Sequence, residues 1–265
     1  MGIKNQQLDI ILLILSGTII AYVGFPFISI LNFLEPSKLI DSFIRPQLDN
    51  AFILSLITST ISTLILIFFG TSIAYCLARY NFRGKLILQT IVIFPLVLPP
   101  LASGALLLGV FSPSSALGSY FPSIDFTQSV IGIVIAQTYV SSPFMILTSQ
   151  AAFEAVDRSY EMTSRVLGKS KIETFFKVTL PMAKAGIMIG ILLTWVRSIG
   201  ELGATMMMAY NPHTISIQIF EDNAINGLRQ AMPDIMMVIL LSIIALTAVS
   251  ILKKKDKSSL KVGWN

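Results

Sequence analysis

Charge is scarce in this sequence. Only 12% of its 265 residues are Asp, Glu, Lys or Arg, about half the roughly 25% usual in soluble domains, while 54% are hydrophobic. A water-soluble fold could not hide that much apolar surface, so lipid must be the solvent for much of the chain. Cysteine is nearly absent. The single Cys76 lies in an apolar run, which excludes an intrachain disulfide and a cysteine-based metal site; it reads as a small packing residue. Histidine is also single. His213 sits in a polar loop beside Asn211-Pro212 with no evident partner, and reads as neither metal ligand nor catalyst. With one His, one Cys and no carboxylate cluster in the apolar segments, the constellation that an integral membrane enzyme needs is missing. No GxxxxGK[ST] phosphate loop occurs, so any ATP that drives this protein is hydrolysed by another chain. The net charge of +5 could suit nucleic acid, but the basic residues gather beside apolar runs in the pattern of membrane topology, and no nucleic-acid partner is expected.

What the sequence does have is long apolar runs. Six segments, at about 8–31, 51–78, 86–111, 129–151, 182–208 and 235–252, reach or approach the roughly 20 helical residues that cross a hydrocarbon core. The first is too long for the apolar region of a secretory signal and is kept as a membrane helix. The chain therefore reads as an all-α integral membrane protein with about six transmembrane helices. It forms a single transmembrane domain over 1–252, with a polar connection at 152–181 and a basic tail at 253–265. Orientation follows from Lys and Arg. With the N-terminus in the cytoplasm, the inner side holds Lys4, Arg79, Arg83, Lys85, the five basic residues of 155–181 and the tail lysines. The outer side holds only Lys38, Arg45 and Arg229, among seven carboxylates. This positive-inside bias places both termini in the cytoplasm and agrees with an even number of crossings.

The outer connections differ in kind. Residues 32–50, with Pro36 and Pro46, read as a loop; the Ser- and Pro-rich 112–128 reads as turns around one short interfacial helix; within 210–233, residues 214–222 read as a short re-entrant or interfacial helix. The third segment carries Phe94-Pro95-Leu96-Val97-Leu98-Pro99-Pro100 followed by Ala102-Ser103-Gly104. Internal proline bends a helix, so a kinked crossing is expected, either static or bending during gating, with Pro99 and Ser103 beside a pathway. In the fifth segment Pro181 suits a first helical turn, and Gly186 and Gly190 have the GxxxG spacing of close helix approach. At 1.5 Å per residue, Arg197 and Glu201 stand about 20 and 25 Å above Lys184, in the outer half of the membrane or at its edge. Ionisable residues there need a reason. Spaced i, i+4, they can pair with each other; alternatively Arg197, with Ser198, Glu201, Gly203 and Thr205, borders a polar pathway.

Residues 155–181, AVDRSYEMTSRVLGKSKIETFFKVTLP, are the longest charged amphipathic run. Residues 157–166 can form a short helix with charged outer faces. Gly168 permits a sharp turn through positive φ, and Ile172, Phe175, Phe176 and Val178 give a second helical stretch an apolar face. Such a pair of helices beside a membrane can insert into a groove on a partner or lie on anionic lipid.

This segment resembles the EAA loop of ABC importer membrane subunits, whose pattern is E-A-A, three residues, Gly, nine residues, I-x-L-P. Gly168 and Val178-x-Leu180-Pro181 match; Met162-Thr163-Ser164 occupies the E-A-A positions, one residue after Glu161. Phe153-Glu154-Ala155-Val156-Asp157-Arg158, Arg165-x-Leu167-Gly168, Phe175-Phe176 and the run Arg197-Ser198-Ile199-Gly200-Glu201-Leu202-Gly203-Ala204-Thr205 resemble the molybdate/tungstate permease branch, with the sulfate permeases as near relatives. The resemblance implies a type I ABC importer membrane-subunit fold in the cell membrane. It implies a homodimer enclosing the pathway, two ATPase subunits on the cytoplasmic face and an external or periplasmic oxyanion-binding protein. ATP and Mg would reside on the ATPase, and this chain would hold no cofactor. Asp157, Arg158, Tyr160, Glu161, Arg165, Leu167, Gly168, Lys169, Ile172 and Phe175 are then the expected ATPase-docking residues. Two rivals remain. One is a sulfate/thiosulfate permease. The other is an ion-coupled secondary transporter, which usually needs a midplane carboxylate; Glu201 is the only candidate and lies high.

Overall fold

The computed structural model describes residues 2–29 and 46–261. The residues expected as an outer loop at 32–45, and the tail end at 262–265, lie outside the described residues. Every regular element among the described residues is helical. In chain order they are α1 (Gly2–Ser29), α2 (Pro46–Arg79), α3 (Lys85–Val97), α4 (Pro100–Phe111), α5 (Ala116–Tyr120), α6 (Val130–Glu154), α7 (Arg158–Val166) and α8 (Lys171–Thr174). A π-helical turn (Phe175–Thr179) follows, then α9 (Leu180–Ile199), α10 (Gly203–Met208), α11 (Ile215–Asn226) and α12 (Leu228–Lys261). Five helices are long and apolar enough to cross a membrane, and α3 with α4 makes a sixth if the bent pair is one span.

The centre is the trio α2, α6 and α9, each packed on the other two. α2 contributes a stripe of small hydroxyl residues, Ser55, Thr58, Ser59, Ser62 and Thr63, all buried. Their spacing of three and four puts them on one helical face. Thr58 and Thr63 return their hydroxyls to the carbonyls of Leu54 and Ser59 at 2.9 and 2.7 Å, so these polar groups enter a helix interface already satisfied, and their small size lets the backbones approach. Ser62 Oγ donates across the interface to Gln137 Oε1 of α6 at 3.3 Å. α9 reaches α6 through its two glycines. A Cβ on Gly186 would lie 2.6 Å from the Ala152 Cβ, and one on Gly190 would lie 2.3 Å from Thr148 Oγ1. By contrast, α1 is apolar over residues 11–28, and none of these is buried by the rest of the chain.

Two expected crossings are broken instead of continuous. α3 and α4 meet at Leu98-Pro99 with a bend of 118°. Extended backbone at both residues, followed by Pro100 at the first turn of α4, turns the kink into a full break, because the two prolines lack the N–H groups that a continuous helix would use there. The fifth crossing ends as regular helix at Ile199, and Gly200–Leu202 separates it from the short α10. At the other end of α9, the second helical stretch of the amphipathic segment is not separate. α8, the π turn and α9 share right-handed helical backbone at their junctions and run on as one rod from Lys171 to Ile199. The wider π turn just before Pro181 accommodates the ring and the missing N–H without ending the helix.

Candidate functional site

The corner built by residues 155–181 follows from three local devices. Asp157 is the N-cap of α7, its Oδ1 accepting from the Ser159 N–H at 2.8 Å; these hydrogen bonds hold its carboxyl below the ordinary carboxylate range. Gly168, at φ +85°, ends α7 in a Schellman motif. The Lys169 N–H reaches the Ser164 carbonyl at 3.2 Å, and the Gly168 N–H reaches that of Arg165 at 3.0 Å. Ser170 and Glu173 then form a reciprocal capping box that starts α8.

The corner is fixed to the bundle by an ion pair and an aromatic stack. Arg79, at the end of α2, places Nε and Nη2 each 2.9 Å from Glu161 Oε1 and donates Nη2 to the Val156 carbonyl at 2.9 Å. The same Glu161 oxygen accepts from Thr179 Oγ1 at 2.9 Å. One carboxylate thus ties α7 to both α2 and the base of the α9 rod, with the charge-assisted geometry that makes such bonds strong. Arg158 reaches back to the last carbonyls of α2, at Ala78 and Arg79. Phe175 stacks edge-on against Tyr75, with ring centroids 4.8 Å apart, beside the fully buried Phe153.

The expected docking residues therefore divide. Tyr160, Arg165, Leu167, Gly168, Lys169 and Ile172 face outward, and Asp157 and Arg158 are exposed but engaged locally. Glu161 and Phe175 turn into the chain. Val166, Leu167 and Ile172 are 87, 76 and 71% exposed, an apolar tip with nothing from the described residues over it.

The second region joins the two broken helices. Arg197 Nη2 lies 2.7 Å from Glu201 Oε2, and Glu201 Oε1 accepts from the Ala204 N–H at 2.8 Å, inside the chain at 1% exposure. Glu201 is thus both the counter-ion of Arg197 and the cap that starts α10. α10 lies tightly on α4. A Cβ on Gly203 would come within 2.7 Å of Pro100 Cβ, and one on Gly104 within 2.6 Å of Met207 Cβ. Ser103 Oγ on α4 and Thr205 Oγ1 on α10 are buried with no hydrogen-bond partner, whereas Ser198 Oγ donates to Ser141 Oγ at 2.9 Å. Of the residues expected beside a pathway, Ser103, Ser198, Glu201 and Thr205 are buried within the chain in this conformation, while Pro99 and part of Arg197 are exposed.

Sequence reading missed three participants. Arg79 and Thr179 complete the Glu161 anchor from 82 and 18 positions away, beyond any local pattern. His213 does have partners. Its Nδ1 lies 3.1 Å from Glu221 Oε2, whose other oxygen accepts from Tyr210 Oη at 3.1 Å; the turn before α11 brings them together. Among the described residues, no group of three or more His, Cys, Asp or Glu is placed to hold a metal.

Comparison with known proteins agrees with this architecture. Residues 66–255 match the family described as binding-protein-dependent transport system inner membrane component. A probable molybdenum ABC transporter permease protein of Haloferax volcanii is 40% identical over 221 residues, covering 83% of this chain and 81% of that protein. The molybdate/tungstate transport system permease protein WtpB of Pyrococcus abyssi is 36% identical, covering 83 and 85%. Among solved structures, a chain of the bacterial alginate ABC transporter, crystallised with its alginate-bound periplasmic protein, superposes with a TM-score of 0.70 at 18% identity, covering 94% of each chain.

Proposed function

The chain belongs to the family of binding-protein-dependent transport system inner membrane components, and from that premise we propose that it is the permease subunit of an ATP-driven importer of molybdate and/or tungstate. It is a multi-pass membrane protein with the type I ABC importer membrane-subunit fold, and a non-catalytic transport subunit. ABC ATPase and binding-protein partners come with that family. The finer assembly is part of the proposal: two copies of this chain enclosing the pathway, two ATPases holding ATP and Mg, an oxyanion-binding protein on the outer face, and both termini in the cytoplasm.

One observation carries the mechanism. The exposed corner at Gly168 is anchored through Glu161 to the base of a rod that runs unbroken to Ile199 and ends at the Glu201-capped break. Closure of the ATPase dimer on ATP would move the apolar tip of Val166, Leu167 and Ile172. The rod would carry that displacement to the α9–α10 junction and, through the tight α4–α10 contact, to the α3–α4 break. Pro99, Ser103, Arg197, Ser198, Glu201, Gly203 and Thr205 all lie at or beside these two breaks. The buried, unpartnered hydroxyls of Ser103 and Thr205 would find partners when the breaks separate and the pathway opens outward. ATP shifts this equilibrium only by the difference in its effect on the two states. Selectivity would reside mainly in the binding protein, since a deep cationic trap would hinder release.

Gly168→Val tests the docking step. Valine at φ +85° is sterically opposed, so the variant should reach the membrane in normal amount and lose co-purification of the ATPase. Undiminished co-purification would refute the docking role of the corner.

A further inference from the structure

Between the end of α2 and the inner side of α7 and α8 lies a cavity of about 160 Å³. Four cationic residues line it, Arg79, Arg158, Arg165 and Lys171, against the single carboxylate residue Glu161, with Tyr75, Tyr80 and Thr174 completing the wall. Two of the guanidiniums are fixed before anything binds. Arg79 has a side chain only 6% exposed and is held by Glu161 and the Val156 carbonyl; Arg158 is held on the carbonyl ends of α2. The other two are uncommitted, because no hydrogen bond or ion pair joins the side chain of Arg165 or Lys171 to another described residue. Arg158, Glu161 and Arg165 recur at i, i+3 and i+7, so they share one side of α7, with the exposed apolar Met162 and Val166 on the adjacent side. The cavity is therefore set apart from the apolar tip.

We infer that this cavity binds a phosphate-type oxyanion group. Converging guanidiniums are the usual receptor for tetrahedral oxyanions, which they grip through paired N–H donors. Pre-fixed Arg79 and Arg158 reduce the ordering cost of binding. The volume equals that of ~5 waters at roughly 30 Å³ each, enough for one tetrahedral oxyanion and a few waters. The bound group would join α2 to α7 and α8 and stiffen the corner. The same chemistry is offered by a free oxyanion in the cytoplasm and by the phosphate of an anionic lipid at the inner leaflet.

The test uses the full chain in nanodiscs of zwitterionic lipid without ATPase, reading hydrogen exchange over residues 157–175. One arm titrates inorganic phosphate and then molybdate, with chloride at matched ionic strength as the screening control. The other arm replaces part of the lipid with phosphatidylglycerol. Exchange should slow beyond the chloride control in at least one arm, and the responding arm identifies the source. Arg165→Gln/Lys171→Gln, two exposed positions without partners, should fold normally and need about tenfold more anion for the same protection. No slowing in either arm, or an unchanged response in the double variant, would overturn the inference. So would slowing seen only after ATPase is added, which would assign the cavity to a partner's carboxylate. Because the ATPase is absent from both arms, failure here is distinguishable from failure of the docking proposal.

Discussion

Glu201 is buried, and the consequences are sharp because Arg197, at 2.7 Å, is its only cationic partner among the described residues. Removing one member of a buried pair leaves the other without compensation. Arg197→Ala should therefore lower the thermal stability of the detergent-purified protein by about 3 kcal/mol. Glu201→Gln should suppress that loss, since Gln Oε1 can still accept from the Ala204 N–H while the unpaired charge disappears. If Arg197→Ala is fully stable but inactive, the arginine belongs to the pathway alone. This pair was readable in the sequence from its i, i+4 spacing; that Glu201 also starts α10 was not, because the break between Ile199 and Gly203 had no proline to announce it. The Arg79–Glu161 anchor was invisible for a different reason, since only the tertiary fold brings residues 82 apart together. Asp157 offers a pH test. Its folded pKa lies below the ordinary value, chiefly through the hydrogen bond from the Ser159 backbone. Its contribution is therefore complete above the ordinary carboxylate range and is lost as pH falls through the lowered value. Hydrogen-exchange protection factors in α7 should fall over that acidic range, and Asp157→Asn should flatten the dependence; an unchanged profile would remove Asp157 as the cap that matters.

At the level of elements, the tight contact of α4 with α10 is what joins the two breaks. Gly203→Ala would set a Cβ 2.7 Å from Pro100 Cβ and 3.0 Å from the Leu101 backbone N, and overpacking of this kind costs about 1–3 kcal/mol. Thermal unfolding should register that loss. Gly109→Ala on α4, with no atom within 4 Å of the new Cβ, should be neutral, and equal stability of the two variants would mean that the contact yields freely. The helix–Gly–helix corner was legible because only glycine enters positive φ without strain, and Gly168 stands where the amphipathic run changes face. The α3–α4 break was legible only as a kink. Leu98-Pro99-Pro100 marks the position, but the 118° angle is set by what α4 packs against, α10, whose separate existence the apolar run at 182–208 concealed. Likewise the continuity of α8 into α9 depends on a π turn that leaves no mark in apolar periodicity.

For the whole molecule, composition alone required a membrane, and the six apolar runs anticipated the five long helices and the bent pair. The proposed assembly would use surfaces that the described residues leave uncovered: α1 over residues 11–28, and the apolar tip at Val166, Leu167 and Ile172. The most direct measurement of the central claim is uptake into liposomes that contain this chain and its ATPase, with ATP inside and the binding protein and radiolabelled molybdate outside. ATP-dependent uptake blocked by excess tungstate and spared by sulfate is the predicted result. Uptake by the complete complex that ignores ATP and collapses with an ion gradient would contradict it, and competition by sulfate in place of tungstate would move the cargo to the sulfate permeases.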